Sequence, residues 1–404
     1  MGIVNKLKKL TRWANIWMSQ FTACRMKDMR CEIGSNRVVL IKTDAIGDFL
    51  IWLDSAAAYA KIYDTSQLTL ICNTACRQIA ESMGYFDKII TMDVRRFEAD
   101  NSYRKEFIAG VQNDEYDVLV QTAYSRTVHM DMLAKAIKAH TKIGMEADES
   151  KTNLSRYISF KSSKSRLDSI YDKRIKTKDG LEMELLRNSE FIRGLGMKDF
   201  LAGMPVLKEQ AVDEKILPDG DYYIIFPGAS TQKKMWSIEG FAQVADYVYE
   251  RTGWTAYLCG SKSEKPLYEA FAAAKKEKTK SVDYFGGTSL IELAEVIRHA
   301  GLVISNDTSG IHFAAAVNTP SVCIMGEYNF GRFLPYTYEK EYDVKPAVMY
   351  VCHAGMPCSG CAIGNTCAEC RKSIMTNGRY LCLNKVSVDA VKDSVEKILS
   401  QYEV

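Results

Sequence analysis

Short aliphatic and β-branched runs alternate with longer amphipathic stretches along most of the chain. In the first half this pattern predicts strands at 38–41, 68–72, 88–91 and 118–120, and helices at 49–63, 75–83 and 128–139. In the second half it predicts strands at 222–226, 255–258, 302–304 and 321–324, and helices at 238–251, 289–299, 310–317 and 387–402. Alternation of strands with helices is typical of parallel sheets whose two faces are covered.

Proline and glycine interrupt the pattern between the two halves, at Pro205, Pro218 and Gly220. Because these residues mark turns and linkers, we predict two α/β domains joined in this region. The predicted division is an N-terminal extension at 1–35, a first domain at 36–205, a second domain at 206–385 with a cysteine-rich segment at 352–382, and a C-terminal helix at 386–404.

The first 30 residues are more basic than the rest of the chain. Their only acid is Asp28, against Lys6, Lys8, Lys9, Arg12, Arg25, Lys27 and Arg30. Large apolar residues recur every three or four positions, at Ile3, Leu7, Leu10, Trp13, Trp17 and Phe21. This predicts a basic amphipathic helix suited to an anionic membrane surface. A terminal helix packed on its own protein fits the pattern equally well.

Composition excludes several classes of protein. Among 404 residues, 47% are hydrophobic and 25% are charged, which are globular proportions and argue against disorder. No run of about 18 uncharged apolar residues is present, and the start does not have the pattern of a secretory signal. The net charge of +3 is too small to indicate nucleic-acid binding. We therefore expect a cytoplasmic protein with reduced or metal-bound cysteines.

The first candidate site is the loop after the first predicted strand, which contains Lys42, Thr43, Asp44, Gly47 and Asp48. In open α/β sheets, ligands collect outside the carboxyl ends of the strands. An acid at this position is a common helix cap, but it is also suited to act as a general base toward a hydroxyl group.

The second and third candidates also lie between a strand and a helix. The loop at 226–236 contains Ser230, Lys233 and Lys234, whose backbone N–H groups and positive charge suit a diphosphate. It matches neither the P-loop nor the dinucleotide-binding fingerprint, so a plain polar loop stays open. The loop at 305–312 predicts a helix N-terminus capped by Asp307 or Thr308, where anions are stabilised.

Cysteines and a basic stretch add two further candidates. Two Cys-x-x-Cys pairs lie within a set of six cysteines at Cys352, Cys358, Cys361, Cys367, Cys370 and Cys382. Such pairs suit a structural zinc ion, but reduced structural cysteines are the alternative. The stretch at 151–178 is rich in Ser, Lys and Arg. It predicts either a solvated loop or one that binds a phosphorylated or acidic ligand.

These segments together resemble glycosyltransferase family 9, the bacterial heptosyltransferases, over about 37–391. The opening motif is Val39-Leu40-Ile41-Lys42-Thr43 followed by Ile46-Gly47-Asp48. The second is Pro227-Gly228-Ala229-Ser230 with Lys234 and Trp236, and the third is Asn306-Asp307-Thr308 with His312-Phe313-Ala314-Ala315-Ala316. Cys358, Cys361, Cys367 and Cys382 also resemble the closing cysteines of many members. The three main motifs stand in the family's order.

The resemblance implies an α/β GT-B fold, with two Rossmann-like domains whose parallel sheets face a central cleft. It also implies inverting, metal-independent transfer of heptose from ADP-heptose to a sugar hydroxyl of the lipopolysaccharide core. The matching catalytic position is Asp48, the general base. The matching donor-binding positions are Ser230, Lys234, Glu264, Asp307, Thr308, Ser309, Gly310 and His312, and the expected acceptor-binding positions are Lys42, Thr43 and Asp44.

The implied partners are the nucleotide-sugar donor, an envelope glycan acceptor and, through residues 1–30, the inner face of the cytoplasmic membrane. No catalytic cofactor is expected, and structural zinc would be held by Cys358, Cys361, Cys367 and Cys382. Two departures from the family leave the substrates open. Asp44 stands where hydroxyl residues are frequent, so it is a rival base or a charge that raises the pKa of Asp48. Ser309 replaces a frequent glycine.

Two alternatives to heptose transfer therefore stay open. One is a GT-B enzyme of envelope polysaccharide synthesis that uses another nucleotide-diphosphate sugar. The other is a non-catalytic protein that binds zinc through the terminal cysteines and interacts with partners.

Overall fold

The computed structural model describes residues 14–15, 17–146, 167–178, 181–358, 361 and 367–401. The chain forms two compact units. Unit 1 comprises Met1–Phe49, Ser55–Gly180 and Arg187–Phe200, and unit 2 comprises Leu50–Asp54, Leu181–Leu186 and Leu201–Val404. Most of the predicted N-terminal amphipathic stripe and most of the basic stretch at 151–178 lie outside the described residues.

Unit 1 contains a parallel sheet in the strand order β3-β2-β1-β4-β5-β6. Its strands are β1 (Val38–Lys42), β2 (Leu68–Asn73), β3 (Lys88–Met92), β4 (Glu115–Gln121), β5 (Lys138–Glu146) and β6 (Lys173–Lys176). Every residue of β1 is buried, as expected of a central strand covered on both faces. The core gathers around Val39, Ile41, Ile71, Leu119 and Leu133.

The helices that cover this sheet follow the strands in sequence. They are α1 (17–25), α2 (Ile46–Ile51), α3 (Leu53–Ile62), α4 (Arg77–Met83), α5 (Val94–Ala99), α6 (Asn101–Val111), α7 (Val128–Ala136) and α8 (Glu184–Leu195). The helix predicted at 49–63 is wrong in its extent, because the helical stretch starts at Ile46 and is interrupted at the buried Trp52.

Unit 2 repeats the same topology, with the strand order β12-β11-β10-β7-β8-β9. Its strands are β7 (Tyr222–Phe226), β8 (Thr255–Leu258), β9 (Ser281–Asp283), β10 (Val303–Asn306), β11 (Ser321–Ile324) and β12 (Met349–Cys352). Its helices are α9 (Ile238–Thr252), α10 (Pro266–Ala274), α11 (Leu290–Arg298), α12 (Ser309–Ala316), α13 (Ala368–Asn377), α14 (Leu381–Asn384) and α15 (Val388–Leu399).

The predicted α/β class is therefore confirmed, with two parallel sheets of six strands each among the described residues. The prediction of a loop throughout 151–178 is wrong at its end. Lys173–Lys176 forms β6 and pairs with β5, because Ile175 supplies a buried side chain between exposed lysines and arginines. No helix in the described part of the chain is long and apolar enough to cross a membrane.

The segment after α1 is fastened to unit 1 by a network of ion pairs around the buried Lys142. The ammonium group of Lys142, whose side chain is fully buried, lies 2.7 Å from Asp28 Oδ1 and also donates to the backbone oxygen of Ala134. Arg30 lies 2.7 Å from Asp28 and 2.6 Å from Asp172. Burial lowers the pKa of Lys142 to about 8, although Asp28 acts in the opposite direction. The network therefore depends on Asp28, which compensates the buried cation.

Removing that carboxylate should destabilise unit 1. We expect Asp28→Ala to lower the free energy of unfolding by about 2–4 kcal/mol, because Lys142 then keeps a buried charge without its partner. Urea unfolding followed by circular dichroism measures this loss. The neighbouring exposed residue provides a control, since Lys27→Ala should change stability by less than about 0.5 kcal/mol. Equal stability of the two variants would contradict the assigned role of Asp28.

Candidate active site

In unit 1, the first candidate loop follows the carboxyl end of the central strand β1. Lys42 is 2% exposed, and its ammonium group lies 2.7 Å from Asp44 Oδ2. The pairing places two of the three predicted acceptor residues in one ion pair. It sets a positive charge against Asp44, the rival base.

Asp48 lies in the first turn of α2 and is half-buried. It shares its surroundings with Lys42, Asp44 and the buried thiol of Cys76. Burial raises the pKa of Cys76, and the negative charges of Asp44 and Asp48 add to that effect while Lys42 opposes it. The structure therefore brings the candidate base and the three predicted acceptor positions to the same edge of the sheet.

Sequence reasoning missed Gln121, the last residue of β4. It is fully buried and pairs in register with Ile41 on the neighbouring strand β1. Its side-chain oxygen accepts from Ala123 N, whereas its amide nitrogen has no hydrogen-bond partner among the described residues. The buried hydroxyl of Thr43 also has no hydrogen-bond partner among the described residues. Two unsatisfied groups at adjacent strand ends suit the hydroxyl groups of a sugar. A polar residue closing a buried strand was the signal available in the sequence.

In unit 2, the side chain of Asn306 joins the second and third candidate loops. It is fully buried at the end of β10. Its oxygen accepts from Trp236 N at 2.9 Å, and its nitrogen donates to Pro227 O at 2.7 Å. The amide thus holds the beginning and the end of the loop at 226–236 against the loop at 305–308. Asn306 belongs to the predicted motif, but the sequence did not reveal this structural role.

Lys234 lies at the end of a short 3₁₀ turn in that loop, Gln232–Lys234. Its ammonium group lies 4.9 Å from the centre of the Tyr328 ring, within the range of a cation–π interaction. The neighbouring Lys233 is exposed and uses its backbone oxygen to accept from Tyr380 N. Ser230 lies exposed on the same loop. The contact with Tyr328 gives Lys234 a defined position, which Lys233 lacks for its side chain.

The N-terminus of α12 lies beside this loop. Thr308 is its N-cap residue, but the Thr308 side chain does not bond to the helix backbone and lies 3.2 Å from Ser305 Oγ. The first N–H groups of the helix, beginning at Ser309, are therefore not capped by that side chain and suit an anion. Asp307 accepts from Asn329 at 2.8 Å.

Gly310 serves packing at the start of α12. A Cβ atom there would lie 2.3 Å from the ring of Phe226, the last residue of β7. The predicted donor-binding role of Gly310 is therefore best understood as close approach of the helix to the strand.

His312 is buried one turn into α12 and bonds to a hydroxyl group, not to the backbone carbonyl expected of a core histidine. Its Nδ1 lies 2.8 Å from the hydroxyl oxygen of Tyr336. Burial lowers the pKa of His312 to about 4, although Asp307 acts in the opposite direction, so the imidazole is neutral at pH 7. Burial also raises the pKa of Tyr336, which keeps its proton. Both partners are neutral and each carries one proton, and which of them donates in this pair depends on the tautomer of the imidazole.

Glu264 meets the second candidate loop through Gly228. A Cβ atom on Gly228 would lie 1.9 Å from Glu264 Oε1, so only glycine leaves room for this carboxylate. The other oxygen, Oε2, accepts from the backbone N–H of Ser261 at 2.8 Å. Glu264, one of the predicted donor-binding positions, thus lies beside the loop that contains Ser230 and Lys234.

The terminal cysteines lie close to one another but not in a compact metal-binding arrangement. Burial raises the pKa of Cys361, and Cys358, Cys370 and Cys367 add to the effect. Cys352 lies apart, with its sulfur 3.2 Å from Ser394 Oγ. In the part of the chain that the structure describes, no three His, Cys, Asp or Glu side chains are grouped so that they could hold a metal ion. Zinc at Cys358, Cys361, Cys367 and Cys382 stays a prediction from sequence.

The neutral state of His312 predicts a loss of stability in acid. Between about 4 and the ordinary value near 6.5, the unfolded chain binds a proton that the folded chain does not. The free energy of unfolding should therefore fall by about 2–3 kcal/mol as the pH drops through this window. His312→Gln should flatten this part of the pH dependence in urea unfolding. His140→Gln, at an exposed histidine, is the control, and the same slope in His312→Gln as in the parent chain would contradict the assignment.

Comparison with known proteins identifies a family model that covers the second and third motifs. A family model described as glycosyltransferase family 9 (heptosyltransferase) matches residues 104–344, which is more than half of the chain. Lipopolysaccharide heptosyltransferase 3 of Escherichia coli K12 is 28% identical over 159 residues, 37% of this chain and 46% of that protein. Lipooligosaccharide heptosyltransferase 2 of Haemophilus influenzae is 31% identical over 103 residues, 25% of this chain and 30% of that protein. The chain thus spans less than half the length of these curated relatives.

Solved structures show the same fold. A glycosyltransferase family 9 protein from Veillonella parvula has a TM-score of 0.66 at 18% identity, covering 90% of this chain and 97% of that one. The ADP-heptose lipopolysaccharide heptosyltransferase II of E. coli has a TM-score of 0.62 at 15% identity, covering 91% of this chain and 100% of that one. The predicted GT-B class is therefore confirmed at the level of the fold. With the matched region, the motifs and the fold in agreement, the chain belongs to glycosyltransferase family 9.

Proposed function

We propose that this protein is an inverting glycosyltransferase that transfers heptose from ADP-heptose to a sugar hydroxyl of the lipopolysaccharide core. Membership of family 9 and the names of the matched relatives support this reaction class. The observation that carries the proposal is the arrangement in unit 2, where Asn306 fastens the loop bearing Lys234 to the loop that starts α12. That arrangement gathers a cation and helix N–H groups at one place, as a departing diphosphate requires.

The leaving group is stabilised, in this proposal, without a divalent ion. Lys234 supplies a full positive charge, and the N-terminus of α12 supplies N–H donors and the helix dipole. In the tautomer that accepts from Tyr336 at Nδ1, His312 adds a hydrogen bond from Nε2. Glu264, held beside Gly228, is placed to accept hydrogen bonds from the ribose hydroxyls of the nucleotide.

Asp48 is, in this proposal, the base that removes the proton from the acceptor hydroxyl. Inversion needs a single displacement, in which the acceptor oxygen attacks as the bond to the diphosphate breaks. Asp48 is the position that the family resemblance assigns to the base, and Asp44, which is paired with Lys42, is its rival. Thr43 and Gln121 provide buried hydrogen-bonding groups for other hydroxyls of the acceptor.

Replacing the base should reduce turnover much more than donor affinity. We expect Asp48→Asn to lower kcat by about 10²–10⁴-fold, because the amide cannot accept the proton. The measurement is release of ADP from ADP-heptose in the presence of a lipopolysaccharide-core acceptor, with donor affinity from calorimetry. Asp44→Asn is the matched variant, for which we expect a loss of less than about tenfold. A larger loss in Asp44→Asn than in Asp48→Asn would transfer the role of base to Asp44.

Removing the positioned lysine should weaken nucleotide binding. We expect Lys234→Ala to raise the Kd for ADP by about 10–100-fold, since a charge-assisted contact to phosphate is lost. Lys233→Ala removes an equal charge one residue away and should leave the Kd within about twofold. Calorimetry with ADP, UDP and GDP gives both the effect and the nucleotide preference. Tighter binding of UDP or GDP than of ADP would favour the alternative of another sugar donor.

A further inference from the structure

Helix α1, at 17–25, has the reverse of the usual distribution of polar and apolar side chains. The side chains that face the protein are small or polar, being Ser19, Gln20 and Ala23, and all three are buried. The side chains that face outward are large and apolar, being Trp17, Met18 and Phe21, with exposures of 51%, 55% and 46%. A helix that simply packed on its own protein would place the large apolar side chains inward.

This orientation of α1 is fixed by specific contacts. Ser19 Oγ lies 2.9 Å from His129 Nε2 on α7. Ala23 packs in a small cluster with Val128 and Met132 of the same helix. Lys135, near the end of α7, donates to Ala23 O at 3.0 Å. These contacts along the inner face prevent α1 from rotating about its axis. The large side chains therefore stay on the outer face.

The outer face forms a continuous ridge of Trp17, Met18, Phe21 and Arg25, which we call the outer ridge. The rings of Trp17 and Phe21 stack with centroids 5.9 Å apart and an angle of 15°. The guanidinium carbon of Arg25 lies 3.8 Å from the centre of the Phe21 ring. An aromatic pair with a cation stacked on it combines an apolar surface with positive charge at its end.

The exposed charged residues next to the ridge on its own segment, Arg25 and Lys27, are positive. The single acid of the first 30 residues, Asp28, is engaged with Lys142 and Arg30 in the network that fastens this segment. Arg25 and Lys27 are exposed, and the preceding sequence adds four more basic residues, Lys6, Lys8, Lys9 and Arg12. The segment that bears the ridge therefore presents Arg25 and Lys27 as exposed cations, and its acid, Asp28, is engaged in ion pairs.

We propose that the outer ridge binds the surface of an anionic lipid bilayer. Trp, Phe and Met enter the boundary between headgroups and acyl chains, while Arg25 and Lys27 pair with lipid phosphates. The family match begins at residue 104, so the ridge lies outside the matched region. Helix α1 packs on α7, which starts at Val128. Val128 follows the carboxyl end of β4, where Gln121 lies. A benefit of membrane attachment for reaching a lipid-linked acceptor rests on the proposed function. The binding of the outer ridge to a bilayer does not depend on that function.

The test is binding of the full chain to vesicles that contain no glycolipid and no nucleotide. Sedimentation with vesicles of phosphatidylcholine plus phosphatidylglycerol should recover the protein, and phosphatidylcholine alone should recover at least about tenfold less. Raising the salt concentration should release it. The triple variant Trp17→Ser, Met18→Ser, Phe21→Ser should lose at least about tenfold in partitioning onto the anionic vesicles. The assay uses no enzymatic step, so its failure leaves the proposed transferase activity untouched.

Matched variants separate a specific surface from general stickiness. Met375→Ser removes an apolar side chain that is 86% exposed elsewhere in the chain and should leave partitioning unchanged. Arg25→Glu with Lys27→Glu should abolish the preference for anionic vesicles, whereas Lys105→Glu with Lys372→Glu makes the same change in net charge at other exposed lysines and should not. Equal binding by the parent chain and the ridge variant would overturn the proposal. A second result would also overturn it: sedimentation equilibrium in which the parent chain is a dimer and the ridge variant is a monomer. The outer ridge would then bind a second copy of the chain.

Discussion

The side-chain amide of Asn306 is the contact on which the donor half of the site depends. One planar group accepts from the backbone of Trp236 and donates to the backbone of Pro227. Because Asn306 is fully buried at a strand end, these hydrogen bonds face no competition from water. The loop between them carries Lys234, and the residues immediately after Asn306 begin α12. A cation and a helix N-terminus therefore keep a fixed relationship through one residue that itself bears no charge.

The loops in unit 2 show how small residues and aromatic residues divide the work of shaping the site. Gly228 admits the carboxylate of Glu264, and Gly310 admits the ring of Phe226. Aromatic partners then fix the functional groups, with Tyr328 beneath Lys234 and Tyr336 beside His312. In unit 1 the equivalent task falls to a charge pair, Lys42 with Asp44, at the end of β1.

The sequence predicted eight of the twelve described strands and the three loops, because buried parallel strands leave long aliphatic runs and the loops follow them directly. It did not predict β5, β6, β9 or β12, and in β6 the single buried residue, Ile175, lies among lysines and arginines. It did not reveal that Lys42 pairs with Asp44. It could not reveal that Tyr336 bonds to His312, since these two residues are 24 positions apart and meet only through tertiary packing. Gln121 was missed although a polar residue directly after the predicted strand at 118–120 was a signal, because its burial depends on neighbouring strands. The assignments of Asp48 as base and of the cysteines as metal ligands stay predictions.

The burial of His312, which keeps its imidazole neutral, has a consequence for the end of the catalytic cycle under the proposed reaction. An imidazolium facing the diphosphate would hold the spent nucleotide through a full charge, and slow departure of product limits many enzymes. A neutral imidazole supplies a directional hydrogen bond to the diphosphate without the attraction of a full positive charge. The protein would thereby recognise the geometry of the phosphates through a neutral ring. The charged contact that breaks when the nucleotide leaves would be the one to Lys234, which is only half-buried.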